Sequence, residues 1–226
     1  FVPSGSVQCL FDDVHDAIDT AIRAQQQLMD MSLEERGKLI EAMRACARKH
    51  AEELAILANQ ETGYGKVHHK IAKNLLAADK TPGIEDLHPT AFSGDDGLTL
   101  VETAPYGVIG AITPSTNPSE TVICNSMGMI AGGNAVVFNP HPNACKVANY
   151  AVDLVNRAVL EAGGPENIVV SVKNPTMDSS NVMMKSPIVR MLVATGGPGV
   201  VRALLSSGKK AIGAGAGNPP VIVDDT

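Results

Sequence analysis

Gly107-Val108-Ile109-Gly110-Ala111-Ile112-Thr113-Pro114-Ser115-Thr116-Asn117-Pro118 decides the fold. Val108 to Ile112 is short, without polar alternation, and stops in a cluster of Pro, Ser, Thr and Asn, so it reads as a strand covered on both faces. Pro118 then opens a helix, because the first helical position needs no backbone donor, and Gly132-Gly133 closes it. The unit repeats downstream. Ala135 to Phe138 leads to Pro142 and a helix ending at Gly163-Gly164, and Ile168 to Val172 leads to Pro175. Met191 to Ala194 leads to Pro198 and a helix ending at Gly208, and Val221 to Val223 reads as a last strand. Short apolar runs alternating with helices specify a parallel sheet, whose ligands bind beyond the carboxyl ends of the strands.

Upstream the texture is helical. Val14, Ile18, Ala21 and Ile22 mark a first helix. Ser32-Leu33-Glu34-Glu35 is a capping box that starts a long amphipathic helix to about Gly63, and Val67, Ile71, Leu75 and Leu76 mark a third that stops near Pro82-Gly83. Gly94-Asp95-Asp96-Gly97, flanked by Leu98, Leu100 and Val101, predicts a hairpin. The expected fold is α/β: a Rossmann-like parallel sheet with flanking helices, a helical N-terminal layer and a protruding β-hairpin. The expected divisions are 1–88 for the N-terminal helical part, 89–104 for the hairpin and 105–226 for the parallel sheet.

Composition narrows the function classes. The 226 residues carry 18 Lys plus Arg against 24 Asp plus Glu, a net charge of -6 that speaks against a nucleic-acid footprint. With no Trp and only seven aromatics, the chain has no stacking platform for single strands. Its apolar runs fall far short of the roughly 20 residues of a membrane span, so no membrane partner is expected. Cys9, Cys46, Cys124 and Cys145 stand far apart with no CxxC pair, which suits a reducing cytoplasmic compartment. The start, Phe1-Val2-Pro3, has neither the basic nor the apolar part of a signal peptide and reads as the interior of a longer sequence.

Function is expected at the strand-to-helix turns. Thr113, Pro114, Ser115, Thr116 and Asn117 put hydroxyl and amide groups at a helix N-terminus, a place for a carbonyl oxygen or a phosphate; alternatively Asn117 is the helix N-cap. Thr195, Gly196, Gly197 and Gly199 precede another helix, where glycines allow close approach and the helix dipole favours a diphosphate. Their competing reading is a structural glycine turn, since no GxGxxG stands in the chain. Gly213 to Gly217 opens an extended segment, a poor phosphate cradle that calls for another reason to lack side chains. His68 and His69, among Lys66, Lys70 and Lys73, read as a solvated face, Cys124 as a buried hydrophobe, and no metal site is expected.

Five segments together resemble the CoA-acylating aldehyde dehydrogenases of ethanolamine and propanediol utilisation. They are Glu102 to Gly110, Thr113 to Pro118, Ala162-Gly163-Gly164-Pro165-Glu166-Asn167, Thr195 to Gly199, and Gly213-Ala214-Gly215-Ala216-Gly217-Asn218-Pro219-Pro220. The resemblance extends from Phe11 over essentially the whole chain. It implies conversion of a short-chain aldehyde with NAD and coenzyme A to an acyl-CoA and NADH, through a cysteine thiohemiacetal and thioester. The alternatives are the aldehyde-oxidising half of a bifunctional aldehyde-alcohol dehydrogenase and a nucleotide-binding module without catalysis.

The resemblance also implies roles. Thr195 to Gly199 lies against the cofactor diphosphate, Thr113 to Asn117 lines cofactor and oxyanion site, Asn139 and His141 meet the adenosine end, and Gly164 and Gly215 complete the cofactor set. In the hydrolytic branch an Asn stabilises the oxyanion; a gapless match places Thr116 there and Asn117 one residue later. The hydrolytic branch also has a Glu where Gly213 stands, so water is expected to be a slow acyl acceptor and the glycines to leave room for the CoA arm. The family nucleophile lies roughly fifty residues past the Gly-Asn-Pro-Pro motif, beyond Thr226, so the chain is expected to be the cofactor-binding part. The hairpin resembles an intersubunit arm, which implies a homo-oligomer, and the relatives imply a bacterial microcompartment.

Overall fold

The computed structural model describes residues 9–217 and 219–224. A short strand, β1 (Leu10–Phe11), leads into α1 (Val14–Met29), whose first turn is capped by the Asp13 side chain on the His15 amide. The predicted long helix is two: α2 (Leu33–Lys49) and α3 (Ala51–Thr62), broken at His50, whose φ of -102° and ψ of 10° end one and start the other. The apolar period runs unbroken through this joint, from Leu39, Ile40, Met43 and Ala47 to Ala51, Leu54 and Ala58, so nothing in the pattern marks it. The bend lets α2 pack on the later helix α6 (Cys145–Glu161) while α3 packs on α4 (Val67–Lys80).

In α4 the buried face is Lys70, Asn74, Ala77 and Ala78, whereas Leu76 is 60% exposed and Leu75 is also outside. The expectation from Leu75 and Leu76 is therefore reversed, as is the solvated face assigned to Lys70. The hairpin forms as expected from β2 (Thr90–Gly94) and β3 (Gly97–Val101), antiparallel with Gly94 opposite Gly97. Both strands are exposed, including Phe92, Leu98 and Leu100.

The sheet follows: β4 (Val108–Thr113), α5 (Pro118–Ala131), β5 (Ala135–Pro140), α6, β6 (Val169–Val172), α7 (Met177–Lys185), β7 (Val189–Thr195), α8 (Pro198–Leu205) and β8 (Lys210–Ala214). Its six parallel strands run in the order β1-β6-β5-β4-β7-β8. Every residue of β4, β5 and β6 is buried, which is why these strands read as continuous apolar runs. Helices α5 and α6 pack against the sheet with α2 outside them, and α1 and α7 pack together on their own sheet contacts. Gly110 in β4 makes room for α7: a Cβ there would lie 2.9 Å from Met183 Sδ.

Three readings of the punctuation change. Pro142 opens a 3₁₀ turn, Pro142–Ala144, ahead of α6. Pro175 precedes α7 by two residues, and the helix starts instead at a capping box of Thr176 and Ser179. The last strand is β8, an edge strand beginning at Lys210, and Val221 to Val223 form no strand and are exposed. Strong apolar residues misled there, because an edge strand needs only one covered face.

Candidate functional site

Strand order fixes where the site falls. From β4 the chain moves to β5 and β6 on one side, then returns to lay β7 against the other side of β4, so the direction of winding reverses between β4 and β7. Such a reversal leaves a crevice beyond the strand ends, between helices that depart to opposite sides. Ile112 pairs with Ala194 in the register, so the turns after Thr113 and Thr195 emerge side by side. These are the two turns singled out in the sequence.

Thr113 is buried, and its Oγ1 has no hydrogen-bond partner among the described residues, while its carbonyl accepts from the His141 amide at 3.1 Å. That bond ties the first turn to the second. Pro114 is buried, Ser115 and Asn117 are half-buried, and Thr116 is exposed. Asn117 holds the cap position of α5, but its side chain does not cap the helix; Oδ1 accepts from Lys73 Nζ at 2.7 Å. The N-cap alternative is thus met by position and not by bonding. Lys70 Nζ donates to the Thr116 carbonyl at 3.0 Å, and Asn74 Oδ1 accepts from Ser119 Oγ at 3.0 Å. Burial pulls the Lys70 ammonium below its ordinary pKa, and Glu120, itself buried, acts against that shift.

The second turn, Thr195 to Gly199, is pinned by the Gly196 amide donating to the Ala214 carbonyl at 3.0 Å. Gly197 caps α8 with no side-chain bond, Pro198 follows at the first helical position, and a Cβ on Gly197 or Gly199 would meet nothing within 4 Å. Neither glycine has a positive φ. Their lack of side chains therefore serves neither packing nor backbone conformation inside the described chain. The first-turn amides of α5 and α8 face the crevice region without side-chain caps, whereas α1, α2 and α7 are capped by Asp13, Ser32 and Thr176. At α6 the Glu61 carboxylate takes the Lys146 and Val147 amides at 2.9 and 2.8 Å. The first turns of α3 and α4 also lack side-chain caps, so it is their place beyond adjacent strand ends, with the helix dipole, that makes α5 and α8 the ends suited to an anion.

The remaining residues of the expected site divide. Asn139 is buried at the end of β5 and spends its amide on α7, with Nδ2 on Ser180 Oγ at 2.6 Å and Oδ1 accepting from Ser179 Oγ at 2.7 Å. His141 is exposed, its Nδ1 accepting from the Asn143 amide. Gly215 is exposed just past β8 with open space around it. Gly164 is not at the site: it joins α6 to β6, at the end of the sheet opposite the carboxyl ends of the strands, and a Cβ there would lie 2.5 Å from Val159 Cγ1 and 2.9 Å from Leu39 Cδ2. Its bareness is a packing requirement. Gly213 is likewise no part of an open channel, since a Cβ there would lie 2.7 Å from Val201 Cγ1.

No thiol of the described chain is set up as a nucleophile. Burial first, and Asp153 second, push the Cys9 thiol up to about 12. Burial also raises Cys46 and Cys145, and Glu61 adds to the shift at Cys145 by placing a carboxylate at the helix end where a dipole would lower it. Cys124 Sγ accepts from Thr81 Oγ1 at 3.1 Å. His68 and His69 are exposed with rings edge to face at 4.2 Å. A cavity of about 620 Å³ lies elsewhere, in the helical layer between α2 and α6, lined by Ala42, Cys46, Tyr150 and Arg157. In its lining Arg157 pairs with Asp153 and Tyr150 donates to Glu53.

Sequence reading missed Lys70, Lys73 and Asn74. Their signal was the i, i+4 spacing of Lys70 and Asn74 followed by Ala77 and Ala78, a polar and small-residue face that an apolar search discards. Among the described residues no helix is long and apolar enough to cross a membrane.

The chain is 50% identical over 218 residues to the acetylating acetaldehyde dehydrogenase EutE of Salmonella typhimurium, covering 96% of this chain and 46% of that protein. A propionaldehyde dehydrogenase from the fucose utilisation microcompartment of Clostridium phytofermentans superposes with a TM-score of 0.93 at 60% identity, over 96% of this chain and 50% of its own. A propionaldehyde dehydrogenase of Rhodopseudomonas palustris, solved with bound CoA and an acylated cysteine, gives 0.92 at 53% identity over 96% and 50%. The chain thus spans about half the length of the curated relatives it matches. The model of the aldehyde dehydrogenase family matches residues 7–226, and with the winding reversal and the two uncapped turns already in place, the chain belongs to that family.

Proposed function

We propose that the full-length protein carrying this chain oxidises a short-chain aldehyde with NAD and transfers the acyl group to coenzyme A, giving acyl-CoA, NADH and a proton. One observation carries the reading: the open glycines Gly197 and Gly199 at the uncapped N-terminus of α8, beside the β4 turn. A diphosphate placed there would receive backbone amides and the positive end of the helix dipole, with no side chain in its way. NAD, when bound, supplies the hydride acceptor. Thr195, Gly196, Gly197 and Gly199 would hold its diphosphate, Thr113 to Asn117 would line its reactive end, and His141 and Gly215 would flank the nucleotide. Asn139 supports them by tying the β5 end to α7. Coenzyme A carries the same adenosine diphosphate chemistry, so the one cradle serves both in turn.

In this reading the acylated thiol comes from outside the residues given, since Cys9 is buried, Cys46 and Cys124 are hydrogen-bonded, and burial and Glu61 raise the Cys145 thiol. The exposed β2–β3 hairpin joins subunits of a homo-oligomer, and the enzyme works in the cytoplasm inside a bacterial microcompartment, as the origin of the Clostridium phytofermentans relative suggests. The test mixes full-length enzyme with acetaldehyde or propanal and NAD, with and without CoA. Acyl-CoA formation matched by NADH is expected, along with displacement of bound NADH by CoA. Free carboxylate released without CoA at the CoA-dependent rate overturns the assignment.

A further inference from the structure

No further inference is drawn: the strongest candidate, the cavity of about 620 Å³ between α2 and α6, is lined by Lys49, Arg157 and Glu161, charges that single out neither an anion nor a cation once Arg157 is paired with Asp153, and nothing in the structure shows what covers it.

Discussion

Gly213 of β8 and Val201 of α8 meet across a gap with no room for a side chain: a Cβ on Gly213 would lie 2.7 Å from Val201 Cγ1 and 3.4 Å from Leu205 Cγ. Val201 is short and β-branched, so it cannot swing away cheaply. Gly213→Ala should therefore destabilise the protein by about 1 to 3 kcal/mol, the usual cost of overpacking, and Val201→Ala should restore part of it in the double variant. Urea unfolding of the full-length enzyme checks this. An unchanged midpoint in Gly213→Ala would show that α8 does not sit on β8 as described. The same contact means that a carboxylate at position 213 tests helix packing before it tests hydrolysis.

Gly197 makes the opposite case. A Cβ there meets nothing within 4 Å, and its φ of -66° is open to any residue. Gly197→Val should fold with an unchanged melting temperature while NADH affinity falls about tenfold or more, a loss of roughly 1.4 kcal/mol or above. Fluorescence titration with NADH beside a thermal melt separates the two effects. Unaltered NADH affinity in the folded variant removes the diphosphate from this turn.

The difference between these two glycines was not legible in the sequence, where both stood in glycine-rich turns. What was legible depended on burial from both sides. β4 and β5 announced themselves because no face of theirs needs a polar residue, and Pro118 and Pro198 marked the helices that follow because their missing donors cost nothing there. α4 was read on the wrong face, since Lys70 and Asn74 are buried with hydrogen bonds to Thr116 and Ser119, 46 and 45 positions away, and Leu76 is left outside. The break at His50 was invisible because the buried positions keep helical phase across it. β8 was missed in favour of Val221 to Val223 because a one-sided edge strand carries a weaker apolar signal than an exposed run of Val and Ile.

The hairpin predicts an assembly effect. Phe92, Leu98 and Leu100 project from a two-stranded sheet with no third strand among the described residues, and an isolated exposed ribbon of this kind is only marginally stable in water. Phe92→Asp with Leu98→Asp in the full-length enzyme is expected to lower the oligomeric mass seen by light scattering while NADH still binds, since the hairpin is separate from the sheet that holds the crevice. A double variant that keeps the wild-type mass would place the subunit contact elsewhere. A wild type that is monomeric would remove the contact altogether.

Cys9 sets a limit at alkaline pH. It is buried beside Asp153, whose Oδ1 lies 3.9 Å from the sulfur and whose Oδ2 pairs with Arg157 at 2.8 Å. Loss of water around the thiol, followed by repulsion from that carboxylate, raises its pKa from 9.0 to about 12. The unfolded chain ionises the thiol at the lower value, so above it the unfolded state binds fewer protons than the folded one and folding weakens as pH rises. The contribution is intact below about pH 9 and is lost progressively toward about pH 12. Between pH 9 and 10.5 it amounts to at most about 2 kcal/mol, at 1.36 kcal/mol for each unit of pH. Cys9→Ala has no thiol to ionise, so its stability should fall less steeply over that interval than wild type, although both share the titration of every other group. Guanidinium midpoints of the two proteins at a series of pH values provide the comparison. Parallel slopes would mean that Cys9 is not held neutral by its surroundings, and that the β1 strand beginning one residue later does not seal it against α6.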